Sequence, residues 1–332
     1  MCIRDSTINN GEETDDDDAD GDSDDVDVFT GDPLDPCDPI LSPACIGVVL
    51  DVRVKLQGAM QGQMTQGLMR DDLRGLADFP TQEPYSDLKV KKNSIEGVNA
   101  FVHVDDHQVD PNKGGGEIAP ASLLSNQPDP ANDIVDWVFV ELRSGLQLDS
   151  VIATRAALLQ RDGEIRDTEP VAIGAPYTDA DGYQYLRFDS TLAGEYFVSV
   201  RHRNHLGVMT NEAGLLSPKV TVVDFIDPKM NALGVHPQKM VATTSMRDPD
   251  GSLIQTDSLE QYMWAGDANS DGKAIYQGGQ NDVAEMFNNV TLEPLNNPGD
   301  LPLDNFILGG YCLLYTSPSP RDATLSRMPS SA

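Results

Sequence analysis

Basic residues are what this chain most lacks. Lys and Arg number 23 against 54 Asp and Glu, a formal net charge of −31. Such a field repels nucleic acid and anionic membrane surfaces and attracts cations. Long apolar runs are missing too, and no stretch reaches the roughly 20 residues a membrane-spanning helix needs. There is no G-x-S-x-G, no phosphate loop and no H-E-x-x-H, the patterns that carry acyl transfer, phosphate binding and zinc proteolysis. Carboxylates abound, but abundance alone does not mark the paired acids of glycoside hydrolysis. These absences point away from an enzyme. Helical periodicity is scarce as well, appearing only after residue 280.

The two ends stand apart from the rest. MCIRDS at the start and CLLYTSPSPRDATLSRMPSSA from Cys312 resemble translations of one sequencing-library adapter in its two orientations. Residues 1–6 and 312–332 are therefore expected to be artefact, with native sequence over 7–311 and no natural start at Met1. Cys2 and Cys312 fall in these ends. The remaining cysteines, Cys37 and Cys45, lie close together in CDPILSPAC. In an oxidising compartment such a pair closes a small loop by a disulfide; otherwise it stays as two separate thiols.

Residues 7–36 are rich in Gly, Asp and Asn and cannot bury a core alone. The Pro-rich stretch 37–47 reads as a linker. From Val48 the texture changes. Val48, Leu50, Val52, Val54 and Leu56 alternate with Asp51, Arg53, Lys55 and Gln57, the period of a half-buried strand. IVDWVFVELR (134–143) is apolar on both faces and suits a central strand. Further strands are expected at 151–160, 183–188, 194–203 and 219–225, separated by turns such as Arg161-Asp162-Gly163 and Asp181-Gly182. GLMRDDLRGL reads as a short helical turn or a loop. The spacing predicts a mainly β fold, an antiparallel β-sandwich over 48–230, followed by a linker at 231–262.

The clearest chemistry is calcium binding. Residues 12–38 hold fourteen acids and no base. Within them Asp16, Asp18 and Asp20 fall at loop positions one, three and five, Gly21 at the turning position six, and Asp24 and Asp27 at nine and twelve. A hard cation takes about six to eight oxygens, and this spacing wraps them around one point. A second loop reads Asp267-Ala-Asn-Ser-Asp-Gly-Lys273. Asp267, Asn269 and Asp271 offer side-chain oxygens, Gly272 makes the turn, and the Lys273 carbonyl is the expected backbone ligand. Position twelve is Gly278 rather than an acid, so Asp282 is expected to close the site from the start of a short helix carrying Val283, Met286, Phe287 and Val290 on one face.

These motifs carry resemblances. Asp16–Asp27, with its flanks Asn10-Gly11-Glu12-Glu13 and Asp35-Pro36-Cys37, resembles a bacterial thrombospondin type 3 repeat (7–36). Loop followed by helix over 263–311 resembles half of an EF-hand, as in dockerins. IVDWVFVELR, ATRAALLQRDGEI, YFVSVRHRNHLGVMT, TVVDF and Met263-Trp264-Ala265-Gly266-Asp267 together resemble a C-terminal region of large bacterial surface and secreted proteins, spanning about 37–311. That resemblance implies a β-rich module with calcium as cofactor and an extracellular or cell-surface location, which favours the Cys37–Cys45 disulfide. A second loop would be expected near Gly309-Gly310-Tyr311.

The densest set of candidate catalytic side chains is Arg201-His202-Arg203-Asn204-His205. In a continuous strand His202 and His205 point to opposite faces, so one ion cannot bridge them without a bend. The expectation is an exposed basic edge that deters edge pairing or bonds nearby Asp. His103 and His107, near Asp105 and Asp106, read as a polar loop ahead of a weak metal site, and His236 stands alone beside Pro237. The sequence as a whole predicts a noncatalytic calcium-binding extracellular module of an adhesin-like protein, its partners calcium and a protein or glycan at the cell surface. Its rivals are a dockerin-type assembly module and an accessory domain of a secreted polysaccharide hydrolase.

Overall fold

The computed structural model describes residues 46–60, 67–75, 79–86, 88–92, 95–104, 115–168, 178, 182–243, 258–275, 277–279 and 281–286. Asp16, Asp18, Asp20, Asp24, Asp27, Cys37 and Cys45 lie outside them. The strands are β1 (Ile46–Arg53), β2 (Lys89–Lys92), β3 (Ile95–Asn99), β4 (Ile134–Ser144), β5 (Gln147–Gln160), β6 (Ile165–Arg166) and β7 (Leu186–Leu192), then β8 (Gly194–His202), β9 (His205–Met209), β10 (Gly214–Leu216), β11 (Val220–Asp224), β12 (Lys239–Thr243) and β13 (Ser258–Tyr262). Among the described residues, helix is limited to α1 (Ala121–Leu124), short 3-10 turns such as Asp72–Gly75, and a turn at 282–286. The chain is mainly β, as its periodicity predicts. No helix among the described residues is long and apolar enough to cross a membrane.

Two sheets dominate. One has the order β11-β1-β7, with β1 parallel to β11 and antiparallel to β7. The other runs β10-β8-β4-β5-β6, with β9 also paired to β8. Its strands pair antiparallel throughout. Residues of both sheets belong to one contiguous core that includes Val48, Leu50, Val52, Phe188, Val138, Val140 and Val200.

The double-sided apolar run of β4 has a structural cause. Ile134 to Leu142 are all buried. On one face of the strand, Phe139 meets Tyr85, Phe101 and His103, the ring centroids 5.4, 5.3 and 4.9 Å away. The Trp137 indole N–H donates to the Pro80 carbonyl at 2.9 Å, and Tyr85 Oη donates to the Trp137 carbonyl at 2.7 Å. The segment around 79–104 thus covers a sheet face that would otherwise meet water.

Residues 231–262, expected as a linker, include the β12–β13 hairpin. The hairpin is tied to β1 and its extension. Lys55, expected to face solvent, is buried and pairs with Glu260 at 2.8 Å. Met263 N–H donates to the Lys55 carbonyl at 2.8 Å, and Gln57 N–H returns to the Met263 carbonyl at 3.1 Å. Buried Val241, Tyr262 and Met263 join the main core.

One turn fixes the path between β5 and β6. Gly163 has φ +103°, and its carbonyl accepts Val54 N–H at 2.8 Å. A Cβ there would lie 2.5 Å from Ile226 Cδ1 and 2.7 Å from the Val54 carbonyl oxygen. Gly163→Ala is expected to destabilise the fold by roughly 2–3 kcal/mol, combining backbone strain with a clash against main chain. Urea unfolding of the two proteins measures this.

Candidate functional site: the 267–282 loop and the turn beneath it

The loop begins where β13 ends, and its acids fold inward on local backbone. Asp267 Oδ1 accepts Asp271 N–H at 2.9 Å and its Oδ2 accepts Gly272 N–H at 3.0 Å. Asn269 Oδ1 accepts the same Asp271 N–H at 3.0 Å, so the oxygens at positions one and three already converge. Asp271 Oδ1 accepts Lys273 N–H at 3.0 Å. Ser270 and Gly272 take the left-handed conformation, φ +58° and +78°, which bends the chain back on itself. Lys273 lies exposed at the surface.

Asp282 sits at the head of the 282–286 turn and is buried. Its Oδ1 accepts Ala268 N–H at 2.7 Å and Asn269 N–H at 3.3 Å; its Oδ2 accepts Ile275 N–H at 2.6 Å. Across the irregular spacing it reaches the loop and closes it. Of the helical face expected beyond it, Phe287 and Val290 lie outside the described residues.

Two buried carboxylates, Asp267 and Asp282, are thus brought near the half-buried Asp271. Burial, with the charges of Asp282 and Asp271, raises Asp267 to about 7 against the pull of the Gly272 and Asp271 N–H groups. Burial also raises Asp282, opposed by N–H donors from Ile275, Ala268 and Asn269 and reinforced by the charge of Asp271. A hard oxygen set with surplus negative charge fits calcium chemically. Among the described residues, however, no three His, Cys, Asp or Glu side chains form a ready-made metal cage. The carboxylate oxygens are turned to backbone N–H groups, so an ion would have to recruit them from those bonds.

The loop is seated on the two-residue turn between β8 and β9, and here the expected exposure of the basic cluster is corrected, while its bonding to an Asp is found. The strand breaks at Arg203-Asn204, so His202 and His205 face each other across the turn instead of pointing to opposite sides. Both are buried, with Nδ1 to Nδ1 at 3.1 Å. His202 Nε2 lies 3.2 Å from Asp136 Oδ2, and Arg203 pairs with Asp136 Oδ1. Burial raises the Asp136 carboxyl, but the Arg203 charge and the His202 hydrogen bond outweigh it and hold the group below the usual range. Burial lowers both histidines; Asp136 partly restores His202, while His205 is held well below by burial with the His202 and Arg203 charges.

The turn's backbone carries the loop. Ser270 Oγ donates to the Arg203 carbonyl at 2.6 Å, and Gly266 N–H to the Asn204 carbonyl at 3.2 Å. Leu206 N–H donates to the Trp264 carbonyl at 2.8 Å, and His205 bridges to Ala265. Asp136 and Ser270 were not among the candidate residues. A lone Asp inside the run IVDWVFV was the available signal for Asp136, since a charge there requires a buried cation. Nothing in the sequence marks Ser270.

The remaining histidines also differ from expectation. His103 is buried rather than in a polar loop, edge-on to Phe139 and 3.6 Å from Glu83. Asp105, Asp106 and His107 lie outside the described residues. His236 adopts φ +54°, and its carbonyl accepts the Trp264 indole N–H at 3.1 Å. Comparison of the chain with protein-family models, with curated proteins and with solved structures finds no match.

Two substitutions test this geometry. Asp282→Ala strips several N–H groups of their acceptor and is expected to cost about 1–3 kcal/mol locally, read as faster amide exchange at Ala268 and Ile275. Arg203→Met leaves the Asp136 carboxylate buried and uncompensated, at a cost of roughly 3–5 kcal/mol in thermal or urea unfolding.

Proposed function

We propose that the chain is a noncatalytic, calcium-stabilised β-sandwich module of an extracellular or cell-surface protein. The observation that carries this reading is the grouping of buried Asp267, Asn269 and Asp282 with half-buried Asp271, where the charges acting on Asp267 are other carboxylates. Calcium would neutralise that surplus and draw the oxygens off the backbone; the Lys273 carbonyl would complete the set. The acidic Asp16–Asp27 segment would supply a second site. The shared core of the two main sheets supports the sandwich. A role in internal stability is favoured over docking of a partner, because the loop is bonded to its own β8–β9 turn through Ser270 and Gly266.

Binding of an ion to the folded chain alone stabilises by mass action, about 2.7 kcal/mol at a calcium concentration about 100 times Kd. Titration calorimetry on the full chain is expected to show calcium uptake with a rise in Tm, and the Asp267→Asn variant to lose the share belonging to this loop. No heat and no thermal shift would overturn the reading.

The pH dependence has a definite sign. The folded chain holds a proton on Asp267 up to about 7, whereas the unfolded chain releases it near 3.8. Without calcium, the Asp267 contribution to stability therefore falls as pH rises through that window. Calcium competes with that proton, so calcium affinity at this loop is expected to rise with pH through about 7 and level off above it.

A further inference from the structure

The hydrogen-bond order within the β8–β9 turn admits one assignment with both rings neutral. Asp136 is ionised and can only accept, so His202 Nε2 carries the hydrogen that it receives at 3.2 Å. His202 Nδ1 is then an acceptor, and Asn204 N–H donates to it at 3.3 Å. His205 Nδ1, 3.1 Å from His202 Nδ1 and 2.5 Å from Asn204 Oδ1, must carry a hydrogen. His205 Nε2 is left as an acceptor, and Gly58 N–H donates to it at 3.2 Å. The chain Asp136, His202, His205, Gly58 is thus satisfied from end to end.

It has no place for another proton. On His205 Nε2 a proton would confront Gly58 N–H. On His202 Nδ1 it would confront Asn204 N–H and His205 Nδ1–H. Relayed through the Nδ1 pair, it arrives again at His205 Nε2, and Gly58 loses its acceptor. The charged groups facing the rings are Asp136 from β4 and Arg203 from the turn. Asn204 is the neutral polar neighbour in the turn, and the 56–60 and 263–266 segments present backbone. Asp136 is already bonded to Arg203, so one carboxylate would face two cations if His202 charged.

Gly58 is also mechanically placed. Its neighbour Gln57 holds the segment entering the acidic loop, with Gln57 N–H on the Met263 carbonyl and Gln57 Oε1 accepting Ala265 N–H, each at 3.1 Å. The same segment and the loop hang on the turn carbonyls of Arg203 and Asn204. Displacing either side of the histidine pair breaks the seat of residues 263–275.

We propose that the His202–His205 pair is an acid-operated latch: proton uptake at the pair releases residues 263–275 from the β8–β9 turn while the β4–β5 core stays folded. The latch belongs to the calcium-free chain and stands or falls independently of calcium binding.

The test uses the full chain in chelator, with hydrogen exchange corrected for intrinsic rate, from about pH 7.5 to about pH 4.5. Exchange in peptides covering 263–275 is expected to speed at least about tenfold, while β4 and β5 peptides stay protected. His202→Gln keeps a donor toward Asp136 and His205→Gln keeps an acceptor for Gly58, and the double variant is expected to lose the acid response. Imidazole NMR of the unmodified chain is the independent measurement: both rings should stay neutral, hydrogen on His202 Nε2 and His205 Nδ1, until the loop opens. The proposal is overturned if 263–275 stays protected at the acid end, if the core opens with it, if a folded double variant keeps the response, or if either ring charges with the loop closed.

Discussion

A carboxylate buried inside an apolar sheet must be compensated, and the Asp136–Arg203 pair meets that need. Asp136 lies on β4, the central strand, fully removed from water. Taking such a charge out of water costs several kcal/mol unless paired and hydrogen-bonded. Arg203, His202 and the Trp137 N–H together satisfy its oxygens. To deliver the guanidinium, β8 must end at His202 and turn at once, which draws β9 back along it. The turn's carbonyls then become the platform for residues 263–270. One buried charge thereby sets the position of the loop that gathers the acids.

The acidic loop behaves as a local inversion of that principle. At Asp136 burial is answered by a cation. At Asp267 burial is answered by N–H groups, and the charged neighbours are further carboxylates. The first carboxyl stays ionised and the second is pushed up to about 7. Two buried acids in one molecule are therefore handled differently, one ionised against an internal arginine and the other held toward its neutral form.

Much of the strand pattern was legible because it follows from short-range periodicity. Val48, Leu50 and Val52 are buried as their alternation requires, and the double-sided run at 134–142 is buried on both faces. Asp267, Asn269, Asp271 and Gly272 are recognisable because a tight loop has few ways to present oxygens, and Asp282 reaches it because the helical turn starts there. The histidines were misjudged for a specific reason. Alternation assigns His202 and His205 to opposite faces only if the strand continues, and the two-residue turn at Arg203-Asn204 cancels the assumption. Lys55 and the 231–262 segment were misplaced likewise, since a pairing between Lys55 and Glu260 spans more of the chain than any local pattern can register.

By itself, then, the sequence determined the long strands β1, β4, β5 and β8, the turn that needs glycine at Gly163, and the acidic loop at 267–272. These depend on neighbours within a few residues, through backbone dihedrals and side-chain period. Only the tertiary structure decided that Asp136 meets Arg203 and that His202 meets His205. It alone decided that the 267–282 loop rests on both. Those contacts join residues remote in the chain, and what selects them is the cost of leaving a buried charge or N–H without a partner, a cost defined only once the chain has closed around it.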